Sequence, residues 1–179
     1  MAADTVARLH SRGEYTGNAM NDELEASLVV ITACANALEA IYGGLLHAAQ
    51  DFVPTDATRP DWRKILLALD SAFDLNPTAV TRWQTRIQDH FSGARNRVVH
   101  HKETDRGLER QAAGVLTSPE MGEWDARRAR ASVDLLLEVM EACGAASVRD
   151  LRFTRSHDEL MTNAEALRHL RSVKVSSRF

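Results

Sequence analysis

The chain has 179 residues, of which 44% are apolar and 26% charged, with a formal net charge of −3. That length suits one domain with a core of its own, and the balance excludes collagenous, low-complexity and polycationic classes. Any contact with nucleic acid therefore has to come from a local basic patch rather than from the charge of the whole molecule.

In chain order, residues 1–20 are polar and mixed, with Arg8, His10, Arg12, Gly13, Glu14 and Gly17, and read as an N-terminal arm without a secretory apolar stretch. The first helix is expected from Asn21, a good cap residue, with Asp22 and Glu23 suited to the positive end of the helix dipole. Leu24, Leu28, Ile31, Ala35, Leu38, Tyr42 and Leu45 then recur at steps of four and three, which is the seam of a helix bundle. Gly43-Gly44 inside this helix lowers its propensity and predicts a close neighbouring backbone, a kink or an end. The uncharged run from Ala26 to Leu38 is short for a bilayer span, so no membrane contact is expected.

Asp51 to Pro60 reads as a loop, broken by Pro54 and Pro60. A second helix follows, with Trp62, Ile65, Leu66, Leu69 and Phe73 on its apolar side. Asn76-Pro77 marks the start of a third, expected to reach His101 or Lys102. Its core stripe is Val80, Trp83, Ile87, Phe91, Ala94 and Val98; its polar stripe is Arg82, Arg86, Asp89, Gly93, Asn96 and His100. Residues 103–122 are loop-like. A fourth helix is expected from Pro119 or Glu123 to Cys143, stopped by Gly144, with Ala126, Ala129, Val133, Leu136, Met140 and Cys143 on its seam. Arg127, Arg128 and Arg130 in its first half read as a solvated face, with RNA contact as the minority reading. Ser156-x-x-Glu159 is a capping-box pattern for a fifth helix, and the chain closes on a basic tail.

The expected fold is all-α: an up-and-down bundle of four main helices over residues 21–144, with an extra C-terminal helix and tail over residues 145–179. Cys34 and Cys143 each fall on an apolar stripe and read as buried free thiols, consistent with a reducing, cytoplasmic setting. No zinc-type Cys/His spacing occurs, and none of the seven histidines has an acid three residues before it. Zinc and dimetal-carboxylate chemistry are thereby set aside, and no metal or cofactor is expected.

The densest polar chemistry is Gly93-Ala94-Arg95-Asn96-Arg97-Val98-Val99-His100-His101. On a continuous helix Asn96 and His100 lie one turn apart, with Arg95 on their shoulder, so a guanidinium, an amide and an imidazole share one face. Such a set can cut RNA without a metal. His100 takes the proton of a ribose 2′-hydroxyl, that oxygen attacks the adjacent phosphate, and Arg95 stabilises the charge that develops. Asn96 orients the imidazole or bonds the phosphate. The products are a 2′,3′-cyclic phosphate and a free 5′-hydroxyl. Arg82, Arg86, Arg97 and Lys102 are candidate RNA-backbone contacts.

The Arg95-Asn96-x-x-x-His100 pattern resembles the signature of HEPN domains (higher eukaryotes and prokaryotes nucleotide-binding), small helical bundles of which many are metal-independent endoribonucleases. The resemblance covers about Asn21 to Gly144. It implies a composite cleft formed across a homodimer, a toxin or phage-defence role, and an antitoxin or other regulatory protein that restrains it. It also implies a supporting polar residue on an earlier helix, for which Glu39 is the best match, while His101 beside the motif is a candidate packing, capping or supporting residue. The alternative from a different class is a non-catalytic HEPN-like module that binds RNA, a nucleotide or a protein. A plain structural bundle is the third reading.

Overall fold

The computed structural model describes residues 17–49, 62–92, 109–110, 116–117 and 125–172. These residues form an all-α fold of five α-helices. We label them α1 (Gly17–Ala48), α2 (Trp62–Ala72), α3 (Pro77–Ile87), α4 (Ala126–Ala145) and α5 (Thr154–Ser172). A π-helical turn, Gln88–Ser92, continues α3, and a 3₁₀ turn, Leu151–Phe153, leads into α5. Two-residue strands at Glu109–Arg110 and Leu116–Thr117 pair antiparallel.

The helix α1 begins at Gly17, one turn before the expected cap at Asn21. Its seam is as the spacing predicts: Ile31, Ala35, Leu38, Tyr42 and Leu45 are buried, and Leu24 and Leu28 pack at the edge. The helix continues past Gly43-Gly44 to Ala48, so it does not end there. Among the described residues no atom lies within 4 Å of where either Cβ would sit, so none of them makes the close approach that is one of the expected outcomes. Both glycines are exposed and simply lower the helix propensity there. The opposite face carries exposed Val29, Ala33, Asn36 and Ala40. By length and composition Asp22–Ala48 is apolar enough to cross a membrane, with an 18-residue stretch of mean hydropathy 1.6. A third of that 18-residue stretch is buried inside the protein, where α1 packs against α2, α4 and α5.

The turn between α2 and α3 is anchored at both sequence ends. Asn76 accepts from the Thr78 N–H at 2.9 Å, and Pro77 occupies the first turn, as the sequence predicts. Phe73, fully buried, forms an antiparallel bridge with Val148 in the α4–α5 connector. The Asp74 N–H donates to Ser147 O and the Arg149 N–H to Ala72 O, both at 2.9 Å. The Arg149 guanidinium adds a bond to Phe73 O at 3.0 Å and one to Asp74 at 3.2 Å. Turn backbone that would otherwise lie against the core without partners is thereby satisfied.

The helix α4 is buried over more than the expected seam: Leu135, Leu137 and Val139 are covered as well as Leu136, Met140 and Cys143. It packs against α1, α3 and α5, and a helix with neighbours on several sides reads apolar nearly all round. Two acids hold its positive end. Asp125 accepts from the Arg128 N–H at 2.7 Å, and Glu23 of α1 accepts from the Ala126 N–H at 3.1 Å. Glu23 lies early in α1 and Ala126 opens α4, while Ala37 and Gly44 share a groove with Leu136 and Met140. The two helices therefore run in the same sense. A strict up-and-down order would oppose the first and fourth helices. Arg128, early in α4, bonds Asp89 just after α3, and Arg82 bonds Glu138 further along, so α3 runs opposite to α4. Trp62 meets Phe91 while Phe73 bridges Val148, so α2 runs in the same sense as α1 and α4, and the alternation is broken between α1 and α2.

Gly144 is not the stop. The helix α4 continues to Ala145 and is closed by Ala146 in an extended conformation. Gly144 instead makes room for α5, since a Cβ there would fall 1.9 Å from the sulfur of Met161. The expected capping box is not formed either. Ser156 lies inside α5, and Glu159 accepts from Arg155 at 2.9 Å. The helix is entered through the 3₁₀ turn, capped by Asp150 and anchored by buried Phe153. Phe153, Leu160 and Ala164 join the same core as α1 to α4.

Candidate functional site

The expected catalytic residues Arg95, Asn96 and His100, the neighbours Arg97, His101 and Lys102, and the stripe residues Gly93, Ala94 and Val98 lie outside the described residues. The helix that leads to them is described up to Ser92. Trp83, Ile87 and Phe91 are buried along it, at the four-residue spacing the sequence predicts. Phe91 also meets Trp62 of α2, with ring centroids 5.7 Å apart. Glu39, the expected supporting residue, sits half-buried on α1 between fully buried Leu38 and exposed Ala40.

Of the candidate RNA contacts, Arg82 and Arg86 are described, and the fold brings them together. They project from successive turns of α3 onto one carboxylate, Glu138 of α4. Arg82 bonds Oε1 and Arg86 bonds Oε2. The indole N–H of Trp83, whose ring is 1% exposed, donates to Glu138 Oε1 at 3.0 Å. Burial by itself would raise the Glu138 pKa. The hydrogen bonds from Arg86, Trp83 and Arg82, with the Arg86 charge, outweigh it and hold the carboxyl below its ordinary range.

Glu138 was not among the residues singled out by sequence. The available signal was an isolated acid in the run Leu135-Leu136-Leu137-Glu138-Val139-Met140, where an unsolvated charge needs a partner. A third guanidinium joins the same seam: Arg128, half-buried, donates to the backbone carbonyl of Asp89 in the π-helical turn. Arg127 is exposed beside Asp125, at 3.6 Å, and Arg130 is exposed, as a solvated face requires.

Elsewhere, a groove of about 390 Å³ runs between α1, α4 and α5, with Ala40, Ile41, Gly44, Leu136, Met140 and Leu160 among its lining. Its walls are mostly aliphatic and suit an apolar contact rather than acid–base chemistry. Cys34 and Cys143 are buried free thiols, and burial pushes their pKa values up to about 11 and about 12. Among the described residues, no group of three or more His, Cys, Asp or Glu side chains converges on a point where a metal ion would sit.

The α3–α4 seam thus presents a basic pair whose geometry is fixed from beneath by a buried indole and a carboxylate. The arrangement can bind an anion at its outer edge; among the described residues it pairs charge with charge and brings no histidine, cysteine or serine to Arg82 and Arg86. Comparison of the chain with protein-family models, curated proteins and solved structures finds no significant match to any of them.

Proposed function

We propose that the chain is a metal-independent endoribonuclease of HEPN type, cytoplasmic and homodimeric, acting as a toxin or in defence against phage under the control of a regulatory protein. The observation that carries this reading is the Arg95-Asn96-x-x-x-His100 sequence, placed after α3 in an all-α chain. The π-helical turn immediately before it adds support, because such turns recur beside functional sites. His100 acts as the base toward a ribose 2′-hydroxyl and Arg95 stabilises the phosphorane-like transition state. Asn96 orients one or the other, and DNA resists because it lacks the attacking oxygen.

The test is incubation of purified wild type and His100→Ala with total RNA in excess EDTA, followed by analysis of fragment ends. Wild type yields 2′,3′-cyclic phosphate and 5′-hydroxyl termini, and His100→Ala yields neither. Intact RNA with wild type rules out cleavage. The competing reading is then a non-catalytic RNA- or nucleotide-binding module. The paired Arg82 and Arg86 favour that reading, because they offer charge without acid–base groups.

A further inference from the structure

We propose that Arg82 and Arg86, held side by side by Glu138, form a preorganised clamp for the phosphodiester backbone of single-stranded RNA, with Glu138 as its positioning residue. The proposal rests on the nucleic-acid reading above, but not on cleavage.

Charge balance is the first support. From Pro77 to Ile87, α3 carries Arg82 and Arg86 and no acid. The other acids in the middle of α4, Asp134 and Glu141, neighbour Glu138 along the helix but are paired toward α5, with Arg171 at 3.1 Å and Arg168 at 2.6 Å. Among the described residues Glu138 is the acid that meets the two guanidiniums, so these three side chains together carry one net positive charge. Donor count is the second. A guanidinium carries five N–H donors, and each arginine gives one nitrogen to Glu138. The Arg82 side chain is 62% exposed and that of Arg86 32%, so both reach solvent with donors beyond the one given to Glu138.

Rigidity is the third. The Trp83 ring is locked in the core, its N–H fixes Glu138 Oε1, and the carboxylate in turn fixes both forks. Two long side chains that would otherwise lose rotamer freedom on binding have lost it already. Glu138 therefore does two opposed things. Its charge repels a phosphate, and its hydrogen bonds hold the groups that attract one.

That opposition gives a test with a sign. Binding of a short 2′-O-methyl RNA oligonucleotide, which cannot be cut by 2′-hydroxyl attack, is followed by anisotropy across a salt series. Arg82→Ala and Arg86→Ala each weaken binding and flatten the slope of log K against log salt by about 0.7. The double change Arg82→Lys with Arg86→Lys keeps the slope but loses affinity, because the forks are gone. Glu138→Gln removes a negative charge, yet weakens binding about five-fold, about 1 kcal/mol, through lost orientation.

Tighter or unchanged binding by Glu138→Gln overturns the positioning role, since a simple staple or counter-charge gives that result. Unchanged slopes in both alanine variants overturn the clamp. Arg82→Ala, at an exposed position, keeps the test open if Glu138→Gln does not fold. The two proposals fail separately. RNA cleavage with unchanged slopes removes the clamp alone, and the expected slopes without cyclic-phosphate ends remove cleavage alone.

Discussion

The helix α4 has two charged seams, and they are built differently. Toward α5 the pairing is one to one: Asp134 with Arg171 and Glu141 with Arg168, half-exposed and electrically closed. Toward α3 two guanidiniums share Glu138, and the carboxylate is further bound by the buried Trp83 indole. The first arrangement is a pair of surface staples, each contributing little in water. The second couples a core aromatic to an excess of positive charge at the surface. Ion pairs that look alike along one helix thus do different work, and the buried partner makes the difference.

The largest expected effect probes the cores beneath the two seams. Trp83→Ala removes a fully buried ring and the donor to Glu138, and should cost about 3–5 kcal/mol. Leu160→Ala on the α5 side, near the edge of the same core, should cost nearer 2 kcal/mol. Equal losses, measured by urea unfolding, would erase the distinction. Next come the charges themselves. Glu138→Ala strands an indole N–H and two guanidiniums and should cost about 1–2 kcal/mol. Glu141→Ala, which frees only the exposed Arg168, should cost well under about 1 kcal/mol.

The smallest effect is a pH dependence. The folded pKa of Glu138 is lowered from 4.5, so its contribution is fully present above that value and fades as pH falls through the lower folded pKa. Stability of wild type should therefore decline more steeply below about pH 4.5 than that of Glu138→Gln. Parallel wild-type and Glu138→Gln curves would show that the carboxylate gains nothing from its three donors.

Much of this architecture can be read along the chain, because it depends on local periodicity. The α1 seam from Ile31 to Leu45 and the Asn76-Pro77 start of α3 are properties of a few neighbouring residues, and both stand as expected. The misread features depend on what arrives from elsewhere. Gly144 resembles a helix stop but is a contact with Met161, and Ser156-x-x-Glu159 resembles a cap but lies within a helix already begun at Thr154. Glu138 drew no attention because an ion pair between helices far apart in sequence depends on tertiary register, which periodicity does not encode. The face assigned to Arg95, Asn96 and His100 assumed an unbroken 3.6-residue repeat. The π-helical turn at Gln88–Ser92 shifts the helical phase after Ile87, which local periodicity does not announce, and Arg95, Asn96 and His100 lie outside the described residues.

The bridge between Phe73 and Val148 has a practical corollary for anyone trimming this molecule. A shortened chain ending at Gly144 matches the span of the sequence resemblance, but it discards Ser147 and Arg149. Asp74 N–H and Ala72 O would then lose their partners beside a fully buried phenylalanine. Such a fragment should aggregate or melt early, whereas one ending after Ser172 keeps that corner sewn shut.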